Sequence, residues 1–181
     1  AEMSSINPII LMSEALKLRG DAIAKDLAGS VTVGVGQLCT SPGLLLGVRS
    51  PELTAFIEKL SAAFGGTNPA TMLNSGGLTH YNGGVARLTQ LPGVKVIATG
   101  GTSYTQAVPH LFKADAALLF SKEAPLEEEV FGPSTVIVEL ESREQLLDFA
   151  AKMNGQLTAT LQAEIGDLQG NQDLIAILEQ K

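Results

Sequence analysis

Short apolar runs alternate along the chain with longer segments in which apolar residues recur every three or four positions. The runs are typical of buried strands, and the recurring positions are typical of amphipathic helices. We predict strands at 9–12, 44–48, 94–98, 116–120, 135–140 and 157–161. We predict helices at 14–27, 51–64, 78–90, 142–153 and 173–179. This alternation favours an α/β fold with a mainly parallel sheet and helices on both faces.

The segment 29–36 fits two interpretations. Val31, Val33 and Val35 alternate with smaller or polar residues, as they would in a strand. The same segment also follows a predicted helix without a break and could continue it. The pattern alone leaves both interpretations open.

The composition describes one apolar, acidic domain. Of the 181 residues, 45% are hydrophobic and 17% are charged, which is enough apolar material for a sizeable core. The formal net charge of −7 disfavours nucleic acid or an anionic membrane as a partner. No apolar run approaches the roughly 20 residues that a membrane span needs, and we find no signal-peptide pattern. We therefore expect a cytoplasmic protein.

The chain holds one cysteine and two histidines, which limits its disulfide and metal chemistry. One cysteine excludes an internal disulfide and the zinc sites that are built from several thiolates. His80 and His110 are isolated in sequence, so we expect no metal centre. A dyad of Cys39 with either histidine would instead fit a thiol hydrolase or acyltransferase.

The single cysteine, Cys39, is the first candidate for chemistry. Glycines at 34, 36 and 43 and a proline at 42 predict a turn around it, and a turn can present sulfur to a cleft. A buried structural cysteine in a non-catalytic binding domain is the alternative, because free cysteines are often buried. The stretch fails the GxGxxG dinucleotide pattern, since Cys39 stands where the third glycine belongs. The chain also lacks a GxxxxGK[ST] phosphate loop.

Carboxylates form the second group of candidates. The acidic run 127–129 stands just before the apolar, rigid segment Phe131-Gly132-Pro133. A solvated acidic loop is the simplest interpretation of such a run, although its apolar end argues against full solvation. Glu2, by itself, is typical of a surface residue.

Four motifs together resemble the aldehyde dehydrogenase superfamily, in an order and spacing that fit nearly the whole chain. They are EMSSINP at 2–8, GQLCTSPG at 36–43, EEEVFGP at 127–133 and NGQLTATL at 154–161. Met-Ser-Ser after Glu2 and Thr-Ser-Pro-Gly after Cys39 resemble the branch with 2-oxoglutarate semialdehyde (2,5-dioxovalerate) dehydrogenases. A bacterial NADP-dependent fatty aldehyde dehydrogenase is similar at the same positions.

The resemblance implies a role for four residues. Cys39 would be the nucleophile that forms a thiohemiacetal and then a thioester, and Glu2 would be the general base that activates the hydrolytic water. Glu129 would bind the nicotinamide ribose of NAD or NADP, and Phe131 would pack beside the nicotinamide ring. We expect these residues to share one cleft at the carboxyl ends of the parallel strands.

The resemblance also implies a division of the protein. Residues 1–181 would be the catalytic, nucleophile-bearing domain, and the cofactor-binding and oligomerisation parts would lie outside this chain. The full-length parent would be a homo-oligomer that oxidises a short oxo-acid semialdehyde, such as 2-oxoglutarate semialdehyde, to the acid. We expect the chain alone to be inactive as a dehydrogenase. A fatty aldehyde dehydrogenase of the same family remains an alternative.

Overall fold

The computed structural model describes residues 5–123 and 125–181. The strands in these ranges are β1 (Ile9–Leu11), β2 (Leu44–Val48), β3 (Val94–Thr99), β4 (His110–Ala114), β5 (Ser134–Leu140) and β6 (Thr160–Gln162). The helices are α1 (Ser13–Thr32), α2 (Pro51–Gly65), α3 (Ser75–Gln90), α4 (Arg143–Lys152), α5 (Ile165–Gln169) and α6 (Gln172–Leu178).

The strands form one sheet in the order β3-β4-β5-β2-β1-β6. β3 is antiparallel to β4, and each other neighbouring pair is parallel. On one face, Leu45 of β2 packs with apolar residues of α1 and α2. On the other face, Leu44 and Leu46 pack with apolar residues of α4 and α6. The prediction of a mainly parallel sheet with helices on both faces is therefore confirmed.

The strand predicted at 116–120 is wrong. These residues form a 3₁₀ helix, and the strand of this region is β4, which comes just before it. Leu111 and Phe112 of β4 are fully buried, one on each face of the sheet. The sequence pattern hides this strand because its apolar pair is short and stands between His110 and Lys113.

The segment 29–36 is helical in its first half and a turn in its second. Helix α1 extends to Thr32, so the strand interpretation is wrong. The chain then reverses through Gly34, Val35 and Gly36, whose φ angles are 58°, 59° and 64°. Glycine adopts these angles freely, whereas a β-branched residue such as Val35 pays roughly 1–2 kcal/mol for them. Contacts around this turn must therefore hold Val35 in place.

The last strand, β6, begins at Thr160 and not at residue 157. The reason is that the preceding residues bind the start of the chain instead of a neighbouring strand. The Leu157 N–H donates to Ser5 Oγ at 2.9 Å, and Thr158 Oγ1 donates to Asn7 Oδ1 at 3.0 Å. This segment thus helps to shape the surroundings of the thiol turn described below.

Serine side chains cap the beginnings of α2 and α4. Ser50 Oγ accepts from the Leu53 N–H at 3.1 Å at the start of α2, and Ser142 has the same role at α4. Such caps fix where each helix leaves the sheet. None of the helices in the described ranges is both long enough and apolar enough to cross a membrane.

Candidate active site

Cys39 lies in an exposed turn between α1 and β2. The turn is closed by the Ser41 N–H, which donates to the Leu38 carbonyl at 3.0 Å. The alternative of a buried structural cysteine is therefore wrong. The thiol is open to solvent and to any electrophile that reaches this edge of the sheet.

The residue before the turn, Gln37, ties it to the loop that precedes α3. Its side-chain Oε1 accepts from the Leu73 N–H at 2.9 Å. Together with the left-handed backbone of 34–36, this contact fixes the direction in which the chain approaches Cys39.

The turn around Cys39 touches the Phe-Gly-Pro turn directly, although the two are far apart in sequence. A Cβ atom added to Gly36 would lie 2.3 Å from both the carbonyl carbon and the oxygen of Gly132. Only a residue without a side chain allows this approach. The two motifs that the resemblance selected thus meet backbone to backbone.

Tyr81 of α3 supports the Phe-Gly-Pro turn from the other side. A Cβ atom added to Gly132, where φ is 156°, would lie 2.2 Å from the Tyr81 ring. The Tyr81 hydroxyl donates to the Val108 carbonyl at 2.6 Å and lies 3.3 Å from the Pro133 carbonyl oxygen. Burial raises the pKa of this hydroxyl far above its usual range, so Tyr81 stays protonated and acts as a structural donor.

The two histidines do not join Cys39. His110 Nδ1 lies 2.7 Å from the Val108 carbonyl oxygen and 3.1 Å from the Tyr81 hydroxyl. His80 is exposed on α3. Within residues 5–123 and 125–181, neither imidazole hydrogen-bonds to the thiol, so the geometry gives a Cys–His dyad no support. In the same ranges no cluster of three or more metal-ligating side chains is present.

We expect acidification to destabilise the fold through His110. Burial lowers the pKa of this imidazole in the folded protein, whereas the unfolded chain keeps a pKa of about 6.5. As the pH falls below that value, the unfolded state binds the proton first and the free energy of unfolding decreases. Urea titrations at pH values on both sides of about 6.5 measure this slope. A His110→Asn variant with the same slope as the parent would contradict the assignment.

A single cleft collects residues from three of the four motifs. It is lined by Ser5, Ile6, Gly36, Ser41, Gly43 and the segment 128–132, with further residues of β5. Glu129 and Phe131 therefore face the same cleft as the residues on both sides of Cys39. Cys39 itself is exposed and is not among the lining residues, and it precedes Ser41 by two positions. Glu2 lies outside the described residues.

The cleft is at the amino ends of the parallel strands, so the expected location at their carboxyl ends is wrong. The segment that ends at Pro8 runs into β1, the Cys39 turn runs into β2, and the Phe-Gly-Pro turn runs into β5. Parallel strands begin at a common edge, and this brings the three segments together.

Asn7 is a site residue that the sequence did not single out. Its side chain is 2% exposed, and its Nδ2 donates to the carbonyl oxygens of Cys39 and Ser41 at 2.9 and 3.0 Å. Gln156 Oε1 accepts from the backbone N–H groups of Ile6 and Asn7 at 2.9 and 3.2 Å. The position of Asn7 before a proline is compatible with many turns, and only the fold reveals its contacts.

Comparison with known proteins gives relatives over the whole chain. No protein-family model matches it. It is 41% identical over 183 residues to an alpha-ketoglutaric semialdehyde dehydrogenase of Acinetobacter baylyi, and 39% identical over 183 residues to alpha-ketoglutaric semialdehyde dehydrogenase 2 of Azospirillum brasilense. Each alignment covers 100% of this chain and 35% of the relative, so the chain spans about a third of their length.

Solved structures with the same fold are also aldehyde dehydrogenases. An NAD-dependent benzaldehyde dehydrogenase from Corynebacterium glutamicum matches 98% of this chain and 39% of its own, with a TM-score of 0.76 and 17% identity. A gamma-glutamyl-gamma-aminobutyraldehyde dehydrogenase from Burkholderia cenocepacia matches 98% of this chain and 36% of its own, with a TM-score of 0.76 and 21% identity. At these identities the likeness concerns the fold.

Proposed function

We propose that this chain, which belongs to the aldehyde dehydrogenase superfamily, is the nucleophile-bearing catalytic domain of an enzyme that oxidises an aldehyde to a carboxylic acid. The observation that carries the proposal is the backbone contact of Gly36 with Gly132. This contact holds the Cys39 turn against the turn that contains Phe131, at one cleft. The cofactor-binding and oligomerisation parts of the enzyme would lie outside the chain.

In the proposed reaction, the Cys39 thiolate attacks the aldehyde carbon and forms a C–S bond, which gives a thiohemiacetal. The backbone N–H of Cys39 would stabilise the oxyanion. A bound nicotinamide would accept the hydride, and the acyl group would remain on sulfur as a thioester. Water then replaces the sulfur, releases the acid and returns the thiol. Glu2 is our candidate for the base that takes the proton of this water.

Glu129 and Phe131 are our candidates for contacts with the nicotinamide half of NAD or NADP. Phe131 is 44% exposed and can offer an aromatic face, and a carboxylate such as that of Glu129 suits ribose hydroxyls. Ser41 is among the lining residues, and its Oγ is buried and has no hydrogen-bond partner within the described ranges. The chain contains no phosphate-binding glycine loop for the rest of the dinucleotide.

We propose 2-oxoglutarate semialdehyde as the substrate, because both curated relatives carry the name alpha-ketoglutaric semialdehyde dehydrogenase. NAD or NADP would be the hydride acceptor, and a fatty aldehyde is the alternative substrate. Cytoplasmic localisation and a homo-oligomeric full-length protein stay predictions.

We predict that the 181-residue chain alone does not oxidise aldehydes, whereas the full-length protein does. The hydride acceptor must be held about 3–3.5 Å from the reacting carbon, and the chain supplies only the nicotinamide edge of the cofactor site. The assay follows NAD(P)H absorbance for both proteins with the semialdehyde and with a long-chain aldehyde. Turnover by the chain at the rate of the full-length protein would overturn the proposed division into domains.

A further inference from the structure

We propose that Asn7 is a positioning residue for Cys39, whose side-chain amide fixes the turn that presents the thiol. The importance of this role for catalysis rests on the proposed function, but the geometry does not. Asn7 Nδ2 donates to the carbonyl oxygens of Cys39 and Ser41, at 2.9 and 3.0 Å. One buried amide group therefore holds the turn at two points, on either side of Thr40.

The orientation of the amide is fixed by the chemistry of its neighbours. Asn7 Oδ1 accepts from the hydroxyls of Ser5 and Thr158, at 2.9 and 3.0 Å. Nδ2 faces carbonyl oxygens, which include that of Ser5 at 3.4 Å. A flipped amide would set oxygen against oxygen, so only one orientation satisfies these partners.

The backbone of Asn7 is also held. Its φ is 46°, in the left-handed region that asparagine tolerates better than most residues. The backbone N–H donates to Gln156 Oε1 at 3.2 Å, and the side chain is 2% exposed. Because backbone and side chain are both fixed, the amide is a rigid support and not an adaptable contact.

Removing the donor leaves two part-buried carbonyl oxygens, which face the same point, without this partner. Such groups are costly when desolvated, so the turn will rotate them toward water. That rotation changes the backbone torsion angles that follow Cys39 and, with them, the path of the turn that presents the thiol. The same cluster contains Ser5, three residues after our candidate base Glu2, so Asn7 also joins the segment of the base to the turn of the nucleophile.

Three variants separate positioning from general stability. Asn7→Asp keeps the shape and the acceptor for Ser5 and Thr158 but replaces the donor. Asn7→Gly keeps the left-handed backbone at no steric cost and removes the whole side chain. Thr158→Val is the matched control, because it removes a hydrogen bond from Oδ1 and leaves Nδ2 and the Cys39 turn untouched.

The first readout is amide hydrogen exchange of Ser41, whose N–H closes the turn, in the 181-residue chain. We expect exchange at least about tenfold faster in Asn7→Asp and Asn7→Gly, and within about threefold of the parent in Thr158→Val. The second readout is the pH profile of Cys39 alkylation by iodoacetamide. The difference between Asn7→Asp and the parent should shrink at acid pH, where the introduced carboxyl is protonated and regains a donor.

The third readout is steady-state kinetics of the full-length protein. We expect kcat to fall at least about tenfold in Asn7→Asp with KM within about threefold, because the reactive geometry is lost while the cleft remains. Equal Ser41 exchange in the parent and both Asn7 variants would overturn the proposal, as would a Thr158→Val variant as impaired as Asn7→Gly. If exchange and alkylation change as expected in a protein that oxidises no aldehyde, the positioning role stands and the proposed function fails.

Discussion

Replacing Cys39 with alanine is expected to abolish aldehyde oxidation by the full-length protein and to leave the fold intact. The thiol is the proposed nucleophile, and it is the only cysteine in the chain. Removal of a catalytic nucleophile typically costs several orders of magnitude in kcat, so we expect a loss of at least about 10³-fold. The side chain is exposed, so the free energy of unfolding should change by no more than about 0.5 kcal/mol.

The experiment compares Cys39→Ala and Cys39→Ser with the parent by NAD(P)H formation and by urea unfolding. Serine keeps approximately the size of the side chain, but a hydroxyl is a much weaker nucleophile than a thiol, so this variant should be nearly as inactive as alanine. In the 181-residue chain, iodoacetamide should add one label to the parent and none to either variant. Parent-like oxidation by the alanine variant would show that the nucleophile lies elsewhere.

The second large effect that we expect is a loss of stability when Gly36 is replaced with alanine. Alanine at this position would set its Cβ atom 2.3 Å from backbone atoms of Gly132, and backbone atoms cannot rotate aside as a side chain can. The φ of 64° adds a further penalty for any residue with a Cβ atom. We expect Gly36→Ala to lower the free energy of unfolding by at least about 3 kcal/mol and to separate the two turns.

Gly29→Ala is the matched control for Gly36→Ala. Gly29 lies inside α1, and a Cβ atom added there has no neighbour within 4 Å. Alanine should therefore raise the free energy of unfolding by about 0.5–1 kcal/mol, through its better helix propensity and a less flexible unfolded chain. Urea unfolding of both variants tests the contrast. If Gly36→Ala is as stable as the parent, the close contact of the two turns is refuted.

Most strands were predicted to within one residue, among them the edge strand β3, and for the two central strands the reason is a continuous apolar run. β2 and β5 lie in the middle of the sheet, covered by helices on both faces, and they match the prediction within one residue. The prediction missed β4 because its apolar pair, Leu111 and Phe112, is only two residues long, and because the apolar run after it forms a 3₁₀ helix. An apolar run does not by itself distinguish a strand from a short helix, and in this helix only Leu119 is buried.

The sequence predicted the parts of the candidate site that belong to a motif, and it did not predict the single residues that support them. The turns around Cys39 and Phe131 were found through the resemblance. The strands predicted at 44–48 and 135–140 begin directly after them, which already indicates the amino ends, and the sheet order adds that these two strands are neighbours. Asn7 and Gln156 hold the thiol turn through partners that are remote in sequence. Nothing in the local pattern marks such residues, because a polar residue that is buried and satisfied looks the same in sequence as an exposed one.

The hydrogen bonds of Asn7 join segments that are far apart in sequence, and this bears on when they can form during folding. They join it to Cys39 across 32 positions and to Thr158 across 151 positions. Long loops must lose entropy before such contacts form, so the cluster closes late. A chain that is synthesised from its amino terminus exposes Cys39 long before Gln156 leaves the ribosome. Until then the hydrogen bonds that fix the turn around Cys39 are incomplete. We expect the thiol to gain its fixed orientation only when nearly all of the 181 residues have been synthesised.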